Sequence, residues 1–306
     1  MAIVVVGSVA FDSIETPKGS REMALGGSAN FFSISASHFA PVNLVAVVGD
    51  DFPQDHIEKL NAKGIGTEGL QRAAGKTFHW RGRYADDLNE AQTLATDLNV
   101  FADFNPDLPQ KYKESDTVFL ANIDPVLQRS VLEQVENPSL VALDTMNFWI
   151  EGKNADLKTT LEKIDMLFVN DTEAKMLAGA ETIVQAARKI QEMGPKTVVI
   201  KRGEYGAMLF HGDDMAFCPA YPLDEVFDPT GAGDTFAGGF LGWLDKRGEV
   251  SSQTLREALL VGTVMASYVV EDFSFDRTMT LGIKDVDDRV KVLQKLTALP
   301  GDFGVL

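Results

Sequence analysis

The chain has 306 residues, with 28 Lys and Arg against 45 Asp and Glu, for a net charge of −17. At 45% hydrophobic and 24% charged residues it has the composition of a globular protein, neither disordered nor fibrous. The acidic balance repels phosphate backbones and anionic headgroups, no basic patch offsets it, and no run of about 18 apolar residues occurs, so the expected partners include neither nucleic acid nor membrane.

Short β-branched apolar runs alternate with segments of helical period. The predicted strands are Ile3–Gly7, Asn43–Val48, Thr117–Ala121, Leu140–Asp144, Met166–Asn170 and Thr197–Lys201. Between them fall predicted helices at Ala29–Phe39, Phe52–Lys63, Pro125–Val135, Ala155–Lys163, Glu173–Ala178 and Ile183–Met193. The first strand has no basic segment before it and reaches Asp12 too soon for a secretory signal. This alternation implies an α/β protein with a mostly parallel sheet covered by helices on both faces. One stretch departs from it. Lys76–Arg83 and Gln92–Val100, with Asp86-Asp87-Leu88-Asn89 between them, read as a hairpin inserted between two βα units. A second hairpin, Ala207–His211 with Met215–Cys218, precedes helices at Ala232–Lys246, Leu255–Val270 and Val286–Leu296. Cys218 is the only cysteine, which rules out an intramolecular disulfide and suits a reducing cytoplasm.

Two phosphate-binding patterns fail on spacing. Gly69 to Gly75-Lys76-Thr77 has five residues between its glycines where the Walker loop needs four, and no strand is predicted before it. Gly231-Ala232-Gly233 begins a dinucleotide fingerprint, but Phe236 stands where the third glycine belongs. His38, His56, His79 and His211 lack metal-ligand spacing and read as ordinary surface or core residues.

Chemistry concentrates in Phe227-Asp228-Pro229-Thr230-Gly231-Ala232-Gly233-Asp234-Thr235-Phe236-Ala237-Gly238-Gly239-Phe240. Glycines flanking Ala232 expose consecutive amides just where a helix begins, which makes an anion site, and Asp234 lies in its first turn. There Asp234 is either a favourable first-turn acid or a general base beside the anion. Gly238 and Gly239 each cost about 1 kcal/mol inside a helix, so a close approach by a neighbouring chain or ligand is expected.

This stretch resembles the carboxyl-terminal signature of the ribokinase-like (PfkB) family of sugar and nucleoside kinases. Gly26-Gly27-Ser28-Ala29-Asn30, Val47-Val48-Gly49-Asp50-Asp51-Phe52 and Asn170-Asp171-Thr172-Glu173 are similar to three further motifs of that family, in the same order. The resemblance implies a three-layer α/β/α kinase domain over residues 1–306. A small β-sheet lid, built from about 9–27 and 76–100, would be inserted in it. It implies ATP and Mg²⁺ as cofactors and leaves room for a monovalent cation. Asp234 would be the base, and the amides of Gly231, Ala232 and Gly233 the anion hole. Asp12, Gly26, Gly27 and Asn30 would bind the acceptor, Lys201, Gly203 and Thr230 the nucleotide, and Asn170 and Glu173 the Mg²⁺ through water. Helix Leu255–Val270 and its exit Glu271–Phe273 would border the adenine.

Many members of that family carry an arginine two residues after Asn147, where this chain has Trp149; Lys201, Arg202, Arg81 or Arg83 are the cations available to replace it. Phe11, Phe31, Phe32, Phe78 and Trp80 offer stacking surface and favour a nucleoside acceptor of the adenosine type. The alternatives are a free-sugar kinase of the ribokinase or fructokinase type, and a sugar or nucleotide sensor without chemistry. Intact Asp234 and hole glycines argue for the enzyme. Alternation in the lid strands suggests a homodimer held through the lid sheet.

Overall fold

The computed structural model describes residues 2–86, 88 and 91–298. Its strands are β1 (Ile3–Val6), β2 (Ala10–Thr16), β3 (Gly19–Gly26), β4 (Val42–Val48), β5 (Ile65–Arg72), β6 (His79–Tyr84), β7 (Ala91–Asp97), β8 (Thr117–Leu120), β9 (Leu140–Asp144), β10 (Met166–Asn170), β11 (Thr197–Lys201), β12 (Ala207–His211) and β13 (Asp214–Cys218). Its α-helices are α1 (Ser28–Ala36), α2 (Gln54–Ala62), α3 (Pro125–Leu132), α4 (Asn147–Gly152), α5 (Asn154–Leu161), α6 (Asp171–Ala178), α7 (Ile183–Gln191), α8 (Ala232–Arg247), α9 (Ser252–Val269), α10 (Asp276–Met279) and α11 (Ile283–Thr297).

Nine strands form one sheet in the order β13-β12-β11-β10-β9-β8-β1-β4-β5, parallel except where β12 pairs with β11 and β13. Strand side chains alternate between the two faces, and both faces are apolar, as a sheet covered on both sides requires. Ile3, Val5, Leu44, Phe119 and Phe168 join one core with residues of α1, α8 and α9. Val4, Val6, Val45, Val118 and Leu167 join the other with residues of α3, α5, α6 and α7. Between β1 and β8 the chain order reverses, the place where sheets of this kind tend to leave a crevice at the carboxyl ends of their strands.

A separate four-stranded sheet, β3-β2-β6-β7, is drawn from residues 10–26 and 79–97. Its β2–β6 pairing is parallel, so the segment before α1 and the segment after β5 close into one sheet across more than sixty residues of chain. Leu88 has a left-handed backbone (φ 53°) and donates its amide to Ala85 O; Asp87 and Asn89 of the predicted turn lie outside the described residues.

Edge strand β5 was not expected from the sequence. Its apolar alternation is broken by Gly66 and Gly69, and both glycines are needed: a Cβ would lie 2.8 Å from Tyr112 Oη at the first and 2.7 Å from Leu44 O at the second. β5 runs from Ile65 through Gly69 to Arg72, so a strand does lead into Gly75-Lys76-Thr77, contrary to the expectation, and the first glycine of the Walker-like stretch lies inside that strand and not in a phosphate loop. Helix α4 was likewise not foreseen, being six residues long and half exposed.

The helix-interior glycines of α8 find their reason in packing. A Cβ on Gly238 would enter the Phe32 carbonyl of α1 and lie 2.8 Å from Ser35 Cβ, and one on Gly239 would lie 2.7 Å from Met265 Cγ of α9. The close approach expected at these glycines is therefore made by helices on opposite sides. Gly238→Ala should destabilise by about 1–3 kcal/mol through overpacking despite the better helix propensity of alanine. Gly152→Ala, whose Cβ meets nothing within 4 Å, should be neutral or stabilising by up to about 1 kcal/mol. Chemical denaturation of both variants checks the contrast, and equal effects would contradict it.

Candidate active site

Asp12 lies on β2 opposite the end of β3, and its carboxyl occupies the space that a side chain at Gly26 would fill. Gly27 begins α1 at φ 96°, a conformation that favours glycine, and a Cβ there would lie 2.5 Å from Ser8 O. Burial, then the charges of Asp228 and Asp234, push the Asp12 carboxyl up to about 7, while the Gly27 amide pulls it back. Asn30 is fully buried. Its side-chain amide bonds Gly26 O at 3.3 Å and His56 Nε2 at 3.1 Å, so it braces the glycine turn from behind rather than facing open space. His56 is buried against Phe275, ring centroids 5.3 Å apart, and desolvation pulls its pKa down to about 4, leaving it neutral.

Helix α8 begins at Gly231 (φ 74°), a left-handed turn whose Cβ would strike the Phe31 ring. Ala232 N–H donates to Pro229 O at 3.2 Å, and Thr235 N–H to Gly231 O at 2.8 Å. The amides of Gly231 and Gly233 have no acceptor among the described residues, so two of the three expected hole amides are free and the Ala232 amide is turned into the turn itself. Asp234 follows in the first turn. Burial first and Asp144 second raise its carboxyl to about 7, against the lowering pull of Lys201.

Asp228 anchors the loop before this turn. Its carboxylate accepts from the amides of Thr230 (2.9 Å) and Ser274 (3.2 Å), and Thr230 Oγ1 donates to the Tyr84 hydroxyl at 3.2 Å. Tyr84 ends β6, so the small sheet touches the anion turn directly. Burial raises the phenol pKa above its ordinary value, and the nearby charges of Asp228, Asp12 and Asp234 add to the rise.

The ends of β9, β10 and β11 supply the other wall. Lys201 Nζ donates to Asp144 Oδ2 at 2.6 Å. A Cβ on Gly233 would lie 2.8 Å from that ammonium, so Lys201 sits against the free amide turn. Burial pulls the lysine pKa down, but Asp144, Glu173 and Asp234 together hold it above its usual value. Asn170 and Glu173 form a reciprocal cap on α6, with Glu173 N donating to Asn170 Oδ1 (2.7 Å) and Asn170 N to Glu173 Oε2 (2.8 Å). One oxygen of each side chain is thus committed to the helix start. The second Glu173 oxygen, Oε1, has no protein partner among the described residues, and burial pushes the Glu173 pKa up to about 7.

A cleft of about 700 Å³ runs from this wall across α8 to α9. It is lined by Lys201 and Gly203 at and after the end of β11, by Gly233 of α8, by Thr263, Ala266 and Ser267 of α9 with Val270 just after it, and by Tyr221 and Pro222. Asp86 and Leu88, just past β6, border it as well. Thr230 stands beside this cleft, between Asp228 and Tyr84.

Of the cations considered for the place of the arginine, Arg81 pairs with Asp97, Arg83 with Glu15, and Arg202 lies over the Tyr205 ring. Only Lys201 lines the cleft. Among the aromatic residues, Phe32 stacks on Phe119 in the core, Phe31 underlies Gly231, Phe78 stacks on Phe101, and Trp80 lies over Gly82. Phe11, beside Asp12, is tilted against Phe52. Sequence reasoning missed Asp144, Asp228, His56 and Tyr84 as site residues. A strand-end acid could have flagged Asp144, and its place in the signature Asp228. Nothing local marks Tyr84 or His56, which arrive through sheet closure and helix packing.

Residues 2–279 match the pfkB family of carbohydrate kinases. A cytidine kinase of Thermococcus kodakarensis is 32% identical over 275 residues, covering 88% of this chain and 96% of that one. An inositol 3-kinase of Arabidopsis thaliana is 37% identical over 309 residues, covering 94% and 80%. The solved nucleoside kinase of Burkholderia thailandensis in complex with inosine superposes with a TM-score of 0.79 at 20% identity, covering 95% of this chain and 97% of that one. The chain belongs to the pfkB family. It has the ribokinase-like fold and is a phosphotransferase with a hydroxyl acceptor.

Burying these carboxyls carries a stability cost with a definite sign. Folded Asp12 holds its proton up to about 7, whereas the unfolded residue loses it near 3.8, so stability falls as pH rises between those values and the loss is complete above them. Asp12→Asn should therefore stabilise by on the order of 1–3 kcal/mol at pH 8 and change little at pH 4. Denaturant titrations at the two pH values check this; a variant less stable than the parent at pH 8 would contradict it.

Proposed function

We propose that this pfkB-family kinase is an ATP-dependent nucleoside kinase, transferring the γ-phosphoryl group to the primary hydroxyl of a ribosyl acceptor. The observation that carries the reading is Asp234, a carboxyl poised near neutrality in the first turn of α8, next to the free amides of Gly231 and Gly233 and in the field of Asp12. A base with such a pKa is matched to removing a hydroxyl proton near pH 7. The unpaired amides and the helix N-terminus would hold the negative charge that spreads over the transferring group.

In this reading Asp12 accepts hydrogen bonds from vicinal hydroxyls, with the Gly26-Gly27 backbone close by and Asn30 fixing that turn. Asp234 takes the proton of the hydroxyl as its oxygen attacks the γ-phosphorus, and the bond to the β–γ bridging oxygen breaks to release ADP. Lys201, Gly203 and the Thr230 turn bound the triphosphate, and the α9 wall bounds the base. The free Glu173 oxygen suits Mg²⁺, which takes one or two carboxylates plus phosphates and retains several waters. Asn170 lies behind it, its oxygen committed to the cap. No group of three or more acidic, His or Cys side chains arranged to hold a metal alone occurs among the described residues. Bound Mg²⁺ would neutralise triphosphate charge.

The cytidine kinase relative supports a nucleoside. The inositol 3-kinase relative supports a second reading, a free polyol or sugar acceptor, which the Asp12 side would serve equally. No helix among the described residues is long and apolar enough to cross a membrane, and the buried free thiol of Cys218 suits the reducing cytoplasm as the compartment. The small sheet would act as a lid and pair between two subunits. Its edge strand β7 is exposed along nearly its whole length, and Leu94 and Met23 stand out from the sheet.

ADP release from Mg-ATP with a panel of nucleosides, inositol, ribose and fructose tests the acceptor. Turnover is expected with a nucleoside, with kcat/KM falling as pH drops below about 7 as Asp234 takes up its proton. Asp234→Asn should lower kcat by roughly 10²–10⁴. Turnover confined to inositol or a free sugar selects the second reading. No turnover with any acceptor would sink both. Sedimentation showing only a 33.4 kDa species at micromolar concentration would remove the dimer.

A further inference from the structure

We infer that Asp144 and Lys201 work as a unit that presents one fixed ammonium to the terminal phosphoryl group of the donor, Lys201 touching the group and Asp144 positioning Lys201. The inference rests on the kinase reading and assigns a role to Asp144 that the reading itself does not need.

Among the described residues lining the 700 Å³ cleft, Lys201 is the single cation; the other charged ones, Asp86 and Glu204, are acidic. A donor with several negative charges would therefore meet one protein side chain of opposite sign. That ammonium lies where the charge is to be transferred, 2.8 Å from the position a Cβ on Gly233 would take, against the turn whose Gly231 and Gly233 amides are free.

Lysine normally keeps its charge on a flexible stem and loses side-chain entropy when it is fixed. Here the fixing is done in advance. Asp144 Oδ2 accepts one Nζ hydrogen at 2.6 Å; the side chains are only 6% and 18% exposed, and the Lys201 ammonium makes no other hydrogen bond among the described residues. An ammonium has three hydrogens, so two remain for phosphoryl oxygens. The chain places the pair by register alone. Lys201 ends β11 beside Asn170 at the end of β10, and Asp144 ends β9 on the far side of β10. Without Asp144 the ammonium could swing toward Glu173 or Asp234, whose charges also act on it.

The test is calorimetric binding of ADP and of a non-hydrolysable ATP analogue, with Mg²⁺, to the parent chain, K201M, K201R and D144N, each checked for a parent-like melting transition. The expected result for K201M is a tenfold or greater loss of affinity for the triphosphate analogue with ADP affected less than threefold, and a fall in kcat of about 10²–10³. K201R should recover most of the triphosphate preference. D144N should show the same selective loss, which a merely structural ion pair would not produce. Equal losses for both nucleotides, or none for either, would overturn the assignment to the terminal phosphoryl group. A D144N variant that retains the parent preference would overturn the positioning role. If K201M does not fold, the D144N and K201R pair decides. The parent chain's own turnover assay stands apart: no turnover with a preserved triphosphate preference would discard the kinase reading while leaving the Asp144–Lys201 assignment standing.

Discussion

One ammonium balances a crowd of buried acids, and much of this site follows from that imbalance. Asp12, Asp144, Glu173, Asp228 and Asp234 converge where two sheets and the start of α8 meet, and Lys201 is the cation set among them. Unpaired carboxylates in a dry site shed their charge by holding protons, which is the direction of the shifts at Asp12, Glu173, Asp228 and Asp234. Asp144 is the one that pairs directly with Lys201, at 2.6 Å. The remaining acids are held at a stability cost that only a ligand could offset, either a cation or a hydroxyl-bearing acceptor. Residues that destabilise a fold in the absence of a ligand mark a function.

The second constraint is steric. An anion site at a helix N-terminus works only if the helix end reaches the carboxyl edge of the sheet, and α8 does so by lying unusually close to its neighbours. Glycines 238 and 242 face α1, and Gly239 faces α9; a methyl group at any of them would enter an adjacent backbone or side chain. Phe31, on α1, lies under Gly231 itself. The same helix that starts at the Gly26-Gly27 turn therefore supports the turn at Gly231. In the proposed reading this one helix–helix contact would set the acceptor and donor sides at a fixed separation, which is how a transfer reaction gains from positioning.

What was legible in the sequence divides along local and non-local lines. Parallel strands buried on both faces announce themselves as runs such as Ile3–Val6 and Met166–Val169, and glycines inside a helix announce a close approach. The capping box of Asn170 and Glu173 was also readable, as a strand-end Asn and a first-turn acid. Edge strand β5 was not, because glycines forced by Tyr112 and Leu44 interrupt its alternation. The expectation that Asn30 faces the acceptor assumed a free side chain. Its burial against His56 depends on α2 docking beside Phe275, which no local pattern encodes. Phe32 likewise looked available for stacking and is spent on Phe119.

The same division explains why the chemistry is more legible than the acceptor. Proton removal and charge stabilisation need a short contiguous stretch, Thr230 to Asp234, whose physics is that of a helix start. Recognising vicinal hydroxyls would need little more than the proposed pair of Asp12 against Gly26, which would suit a ribosyl ring or a cyclic polyol alike. What could tell them apart lies beyond the diol, where a base would or would not find a wall. That wall would have to come from β2, β6 and the residues following them, strands that meet only because the small sheet closes across more than sixty residues of chain. Tyr84 shows the geometry of the problem: it belongs to the small sheet, yet its hydroxyl ends on Thr230, at the anion turn. A change in how β6 pairs with β2 would move the acceptor wall and the contact to the anion turn together. In the proposed reading, a change of acceptor would therefore need only a change in how β2 and β6 pair, while the turn from Gly231 to Asp234 stays as it is.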